Sequence, residues 1–147
     1  LGVRTIQIVT DCVYDGKLGN YNENSPHSPV DVYGKTKSIG EVTDGSVLNI
    51  RCSIIGLEIK TKESLLEWFL SQTVQVNGFK NHRWNGVTTL RFAKLLDSLI
   101  QKHMHDELIE KSPVYHFVPD YVLTKYEMLE LFKKVFSKKV EIKPINS

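Results

Sequence analysis

Short runs of β-branched residues alternate along this chain with stretches of helical periodicity, and that alternation restricts the fold more than any other feature. Residues 3–10 (VRTIQIVT) and 46–51 (SVLNIR) read as strands. Residues 62–73 space Leu65, Leu66, Phe69 and Leu70 along one side of a helix. Residues 89–102 do the same with Phe92, Leu95, Leu96 and Leu99, and Thr88 is placed to cap them. Thr124 and Glu127 have the spacing of a capping box and open a helix to about residue 136. A helix over 32–43 and strands over 74–79, 114–118 and 140–145 complete the pattern. Such alternation builds parallel strands covered by helices, an α/β protein. A sheet buried on both faces needs more strands than these. The chain therefore reads as the back half of something larger, truncated at both ends, and its opening residues 1–4 (LGVR) carry no initiator Met and no signal-peptide pattern.

Composition removes several classes of function. A formal charge of +2 is too small to argue for nucleic acid or an anionic membrane, and no apolar run approaches the ~18 residues of a span. Cys12 and Cys52 are too few for a disulfide framework and have no metal-binding spacing, as expected of reduced thiols in a cytoplasmic protein. The histidines are scattered. His103 and His105, two apart, would point in different directions on a helix and read as surface residues near a helix end.

The segments VTDCVYDGKLG and VYGKTKSIGE carry the chemistry. Tyr33 and Lys37, four apart, share one face of the expected helix. A carbonyl reductase needs a proton donor beside the oxygen that becomes negative as hydride arrives. A tyrosine hydroxyl ordinarily titrates near 10, and bringing one near 7 takes about 4 kcal/mol. One ammonium about 4 Å away at an effective dielectric of 20 supplies roughly that much. Thr10, at a strand end, can donate a second hydrogen bond to the same oxygen. Tyr-x-x-x-Lys alone is a weak motif, since six Tyr and fifteen Lys give roughly half a match by chance. Tyr121 and Lys125 make a second match, but Thr124 caps the helix between them and leaves Tyr121 outside it.

The wider pattern is more specific. Thr10-Asp11 at a strand end, the Tyr14-Asp15-Gly16 turn, Pro29 leading to Tyr33-Gly34 and Lys37, and Gly40-Glu41 after them resemble the dTDP-4-dehydrorhamnose reductase branch of the extended short-chain dehydrogenases/reductases. The likeness is specific over residues 5–56 and looser beyond. It implies the C-terminal part of a Rossmann-like NAD(P)-binding domain over 1–56 and an incomplete, small mixed α/β substrate domain over 57–147. It implies NADPH or NADH as cofactor and reduction of a nucleotide-linked 4-keto sugar, in the biosynthesis of cell-surface polysaccharide. A homodimer is compatible with it. Tyr33 would donate the proton, Lys37 would tune it and hold the nicotinamide ribose, and Thr10 would complete the triad. Ser53 and Ile54 would pass beside the nicotinamide, and Asp11 and Cys12 would face the sugar.

Three departures qualify the likeness. Val9 and Cys12 stand where the family has Ser and Tyr, and Arg51-Cys52-Ser53 leads into Ile54-Ile55-Gly56 rather than to a Trp, which removes a stacking surface for a sugar. No Gly-x-x-Gly-x-x-Gly occurs to cradle a pyrophosphate. Residues 79–89 gather Asn81, His82, Arg83 and Trp84; Arg83 suits a diphosphate, with Asn81 beside it, while an ordinary exposed loop explains the same residues equally well. An epimerase or dehydratase of the same superfamily, or a non-catalytic homologue, are the alternative readings. These residues alone are expected to bind NAD(P)H negligibly and to self-associate along an open sheet edge.

Overall fold

A computed structural model describes residues 2–60 and 63–146. They form two compact units, and neither is continuous in sequence: the first takes residues 1–53 and 90–118, the second 54–89 and 119–147. A single boundary at residue 56 would have put 90–118 with the second unit. The difference comes from one strand pairing, which returns that segment to the first sheet.

In the first unit, β1 (Thr5–Thr10) and β2 (Val47–Cys52) run parallel in full register from Thr5 opposite Val47 to Thr10 opposite Cys52. A 3-10 turn (Asp11–Val13) follows β1 directly, and α1 (Val32–Ile39) lies on the connection to β2. The third strand, β7 (Val114–His116), pairs parallel with β2 and gives the sheet order β1-β2-β7. β2 is central and almost wholly buried. Its period-2 alternation puts Leu48, Ile50 and Cys52 on one face and two buried polar residues, Asn49 and Arg51, on the other. Asn49 bridges strand and loop, donating from Nδ2 to the carbonyls of Val42 and Pro113 at 2.7 and 3.1 Å.

The helix of residues 32–43 stops at Ile39, with Gly40 as its cap. α3 (Thr89–Gln101) begins where the periodicity predicts. The strand expected over 114–118 is shorter by two residues. The connection left without structure before it contains α4 (His105–Lys111). His105 therefore opens a helix rather than trailing one, and its ring is within 3.1 Å of the Thr5 carbonyl. α4 buries none of its residues, so its apolar pattern is too weak to announce it.

The second unit is assembled from strand pairs. β3 (Ile54–Ile55) pairs parallel with β6 (Val87–Thr88), and β4 (Gln75–Phe79) pairs parallel with β9 (Glu141–Ile145). β5 (Arg83–Trp84) pairs antiparallel with β8 (Leu123–Thr124). Two helices complete it, α2 (Leu65–Ser71) and α5 (Lys125–Val135). Lys62, expected to start the first of these, lies outside the described residues. The core is Phe69, Val76, Leu129, Val140 and Ile142. Each fully buried aliphatic or aromatic side chain there contributes about 1.5–3 kcal/mol relative to exposure. Gly78 allows α5 to lie directly on β4, because a Cβ there would sit 2.8 Å from the Tyr126 ring and 3.0 Å from its Cα. The capping box forms as expected: Thr124 Oγ1 accepts from the Glu127 amide at 3.2 Å, and the Glu127 carboxylate accepts from the Thr124 amide at 2.7 Å.

Candidate active site at the carboxyl edge of the first sheet

Parallel strands place their carboxyl ends side by side, and in α/β sheets the loops leaving that edge form the ligand site. Here Thr10 stands opposite Cys52, so the turn after β1 and Ser53 after β2 leave from neighbouring points. Thr10 is buried and serves as N-cap of the 3-10 turn, its Oγ1 accepting from the Cys12 amide at 3.2 Å. The hydroxyl proton faces the Asp11 carboxylate at 3.3 Å, long for an O–H donor and therefore readily given to a closer acceptor. Cys12 is exposed as a residue. Partial burial of its side chain pushes the thiol above its usual range; the carboxylates of Asp11 and Asp31 add to this, and a hydrogen bond with Thr10 opposes it. The side chain is thus a neutral thiol, able to lie against a ligand and poorly suited to attack one.

The helix that bears Tyr33 and Lys37 is fixed at its start. Asp31, extended in backbone, accepts from the Gly34 amide at 2.7 Å as N-cap, an interaction worth about 1 kcal/mol. Gly34 is buried against the turn after β1. A Cβ there would come within 2.3 Å of the Cys12 carbonyl oxygen, a clash with backbone that only glycine avoids. This close approach seats the Tyr33 helix on the turn that Thr10 caps. Tyr33 is half exposed, and no described residue hydrogen-bonds its hydroxyl. Lys37 places its ammonium 5.7 Å from the centre of the Tyr33 ring, which confirms that the two share a helical face. Among the described residues no carboxylate forms an ion pair with Lys37. One turn of helix therefore presents a free phenol and an uncompensated cation.

Thr10, Asp11, Cys12, Tyr33, Lys37 and Ser53 all belong to the first unit, and Ile54, Asn81 and Arg83 to the second. Ile54 is partly exposed in β3. Asn81 is exposed, and Arg83 lies in β5, exposed and opposite Thr124 in the antiparallel pair. His82 stacks on Phe79 with centroids 4.5 Å apart, and its carbonyl accepts from the Lys125 amide at 2.8 Å. Residues 79–84 thereby connect two strands of separate pairs, β4 with β9 and β5 with β8. No group of three or more metal-binding side chains occurs among the described residues.

Sequence reasoning missed how the loop of residues 14–28 is held. Its Tyr14 is buried, stacks on Tyr21 at 4.6 Å and receives a hydrogen bond from Arg51 Nη1. Arg51 in turn pairs bidentately with Glu41 through Nε and Nη2, one edge of its guanidinium. Taking either charge away would leave the other buried and uncompensated, at a cost of about 3–5 kcal/mol. An arginine and an asparagine at alternate positions of a strand that must be central was the available signal.

A strand, a crossover helix carrying Tyr and Lys one turn apart, and a parallel strand beside a capping Thr make a Rossmann-like α/β arrangement. More particularly, the chain belongs to the RmlD substrate-binding-domain family, whose model matches residues 1–147. By sequence, no curated protein matches it significantly. Solved structures do match by fold. A dTDP-4-dehydrorhamnose reductase of Clostridium acetobutylicum shares 17% identity at a TM-score of 0.77, over 99% of this chain and 51% of its own. That of Bacillus anthracis, in complex with NADP, shares 15% at 0.74, over 99% and 52%. A hypothetical dTDP-4-dehydrorhamnose reductase of Sulfolobus tokodaii shares 24% at 0.73, over 98% and 50%. The chain thus spans about half the length of these structures, and its α/β fold corresponds to their C-terminal portion.

Proposed function

We propose that this chain carries the proton-donating and substrate-facing part of an NADPH- or NADH-dependent reductase of a nucleotide-linked 4-keto sugar. The observation that carries the reading is the Tyr33–Lys37 pair on a helix seated by Gly34 against the turn after Thr10. The chemistry of these side chains fits the nicotinamide end of the cofactor: an unpartnered phenol and an unpaired ammonium on one helical face suit a ribose and a carbonyl oxygen. Lys37 would hold the ribose, and Ser53 and Ile54 would lie beside the ring. The pyrophosphate end has no counterpart here, since the sequence contains no Gly-x-x-Gly-x-x-Gly. When bound, the reduced nicotinamide supplies the hydride to the keto carbon.

The remaining work falls to the chain's own groups. Tyr33 donates its hydroxyl proton to the carbonyl oxygen, so the ketone leaves as an alcohol and the proton is regained from solvent. Lys37 stabilises the phenolate that remains. Thr10 turns its hydroxyl from the long contact with Asp11 toward the same oxygen. Asp11 and Cys12 would face the sugar, and in the second unit Asn81 and Arg83 carry an amide and a guanidinium of the kind that suits a diphosphate. The thiol of Cys12 gives this surface a softer, less polar character than a phenol would, and it bears on which sugar is accepted.

The test uses the protein at full natural length with NADPH or NADH and a panel of nucleotide 4-keto sugars, followed by the loss of reduced-nicotinamide absorbance. Tyr33→Phe is expected to lower kcat by about 10²–10⁴-fold, the range of general acid catalysis. Wild-type protein that oxidises neither cofactor with any keto sugar would overturn the reading in favour of an epimerase or a non-catalytic homologue.

A further inference from the structure

Arg51 is buried in the first unit, its side chain 4% exposed beside a Glu41 side chain that is 1% exposed, and the reaction outlined above makes no use of either. Its guanidinium is engaged on every side. Nε and Nη2 donate to the two oxygens of Glu41 at 2.9 and 2.6 Å. Nη1 donates to the Tyr14 hydroxyl and to the Glu23 carbonyl at 3.3 Å. Nη2 also lies 2.7 Å from His27 Nε2. Arginine has no acceptor atom and does not lose its proton in proteins, so His27 Nε2 must be the bare nitrogen of a neutral ring. The proton is then on Nδ1, which sits 2.7 Å from Ser38 Oγ and donates to it.

Apart from His116 on β7, the partners of this one guanidinium come from two places. Tyr14, Glu23 and His27 belong to the loop that continues from Asp11 and Cys12. Glu41 lies two residues beyond α1, and Ser38 is the residue after Lys37 on it. Packing alone does not call for this arrangement, because apolar residues of similar volume commonly replace buried ion pairs without loss of stability. What a guanidinium adds is direction: a planar fork fixes each partner in angle as well as distance.

We propose that Arg51 is a positioning residue for Tyr33 and Lys37, holding α1 against the loop through Glu41 and through an uncharged His27 on Ser38. This rests on the reductase reading. It makes His27 a proton-sensitive joint. The groups around its ring are Arg51, the Glu41 carboxylate at 3.6 Å, Ser38, and Tyr14 edge-on at 5.9 Å. Burial, and then Arg51, push its pKa below the usual histidine range, against the opposing pull of Glu41. A proton on Nε2 would cancel the bond from Arg51 and set a second cation beside the first. His116 belongs to the same cluster, its Nε2 3.1 Å from the Tyr14 hydroxyl and 3.5 Å from Arg51 Nη1. Its pKa is lowered too, chiefly by burial, and its ring reaches Tyr14 and Arg51 rather than Ser38.

The experiment compares kcat and KM against pH for the full-length wild type, His27→Gln, His27→Leu and His116→Gln. The wild type is expected to lose kcat on the acid side with the pKa that NMR reads for the His27 ring, while KM stays level. Gln can accept from Arg51 and donate to Ser38 without titrating, so His27→Gln should keep neutral-pH turnover and lose the acid limb. His27→Leu should lose kcat by about tenfold or more at every pH, since small displacements of catalytic groups cost orders of magnitude. His116→Gln should leave the limb in place. An acid limb unchanged in His27→Gln, or wild-type kcat in His27→Leu, would overturn the proposal. The NMR titration also follows the amides of Gly34, Lys37 and Ser38. Shifts there that track His27 support the positioning role even if no keto sugar is reduced, in which case the reductase reading alone fails. Amides indifferent to His27 sink the positioning role whatever the turnover.

Discussion

Replacing Gly34 with alanine should separate the geometry of the site from its stability. The added Cβ would stand 2.3 Å from the Cys12 carbonyl oxygen, 3.0 Å from Pro29 Cβ and 3.2 Å from the Asp31 carboxylate. The first contact cannot be relieved by a side-chain rotation, since both the oxygen and the helix are backbone. Restoring an ordinary carbon–oxygen distance of about 3.3 Å requires α1 or the turn to move by roughly 1 Å. Overpacking of this kind costs about 1–3 kcal/mol, while alanine gains up to about 1 kcal/mol over glycine within a helix. The net loss of stability is therefore about 0–3 kcal/mol, or a fall in Tm of no more than about 12 °C for a protein of this size class. The effect on rate is larger. A displacement near 1 Å between Tyr33 and Thr10 should lower kcat/KM by about 10²-fold, equivalent to about 2.7 kcal/mol of transition-state stabilisation. The assay is cofactor-coupled turnover alongside thermal unfolding, with Lys35→Ala, an exposed neighbour on the same helix, as the control expected to change neither. A Gly34→Ala protein as stable as wild type and within twofold in kcat/KM would refute the claim that this contact seats the helix.

Other expectations follow from local chemistry. Thr124→Ala removes one half of the capping box on α5 and should lower stability by about 1 kcal/mol, read as a shift in the urea midpoint without a change in slope. Cys12 is exposed and Cys52 is buried, with its thiol pushed up to about 11 by burial; a thiol reagent at pH 8 should modify one cysteine quickly and the other only as the protein opens, and Cys12→Ser should delete the fast phase. The Arg4 guanidinium, hydrogen-bonded to Asp106 through two nitrogens, and then His105 hold that carboxylate down to about 2. Because the folded pKa lies below the unfolded one, its contribution is complete above the ordinary carboxylate range and is lost as pH falls toward 2. An NMR titration of Asp106 should move upward in Arg4→Ala, and an unmoved titration would exclude Arg4 as the cause.

What could be read from the residues alone was what local periodicity governs. β1, β2, β4, β9, α3 and α5 lie within a few residues of expectation because each carries its own alternation, helical stripe or cap. The Tyr33–Lys37 pair was legible for the same reason, since four residues of helix determine it. The loop after β1 looked merely polar, because Tyr14 is buried only when Arg51, thirty-seven residues on, arrives to bond it. α4 has no buried face to betray it. Nor does any local pattern reveal that Val114 will lie beside Asn49, and it is that pairing which makes the units discontinuous.

That discontinuity sets an order on synthesis. On the ribosome the first sheet cannot gain its third strand until residues 114–116 emerge, by which time all of β3 to β6 has already been made. β4 must then wait for β9, about 65 residues after it, which at roughly 5–20 residues per second is about 3–13 s with an apolar strand unpaired. Val76 and Phe79 are exposed through that interval, and they are where a chaperone, or a neighbouring nascent chain, would first take hold.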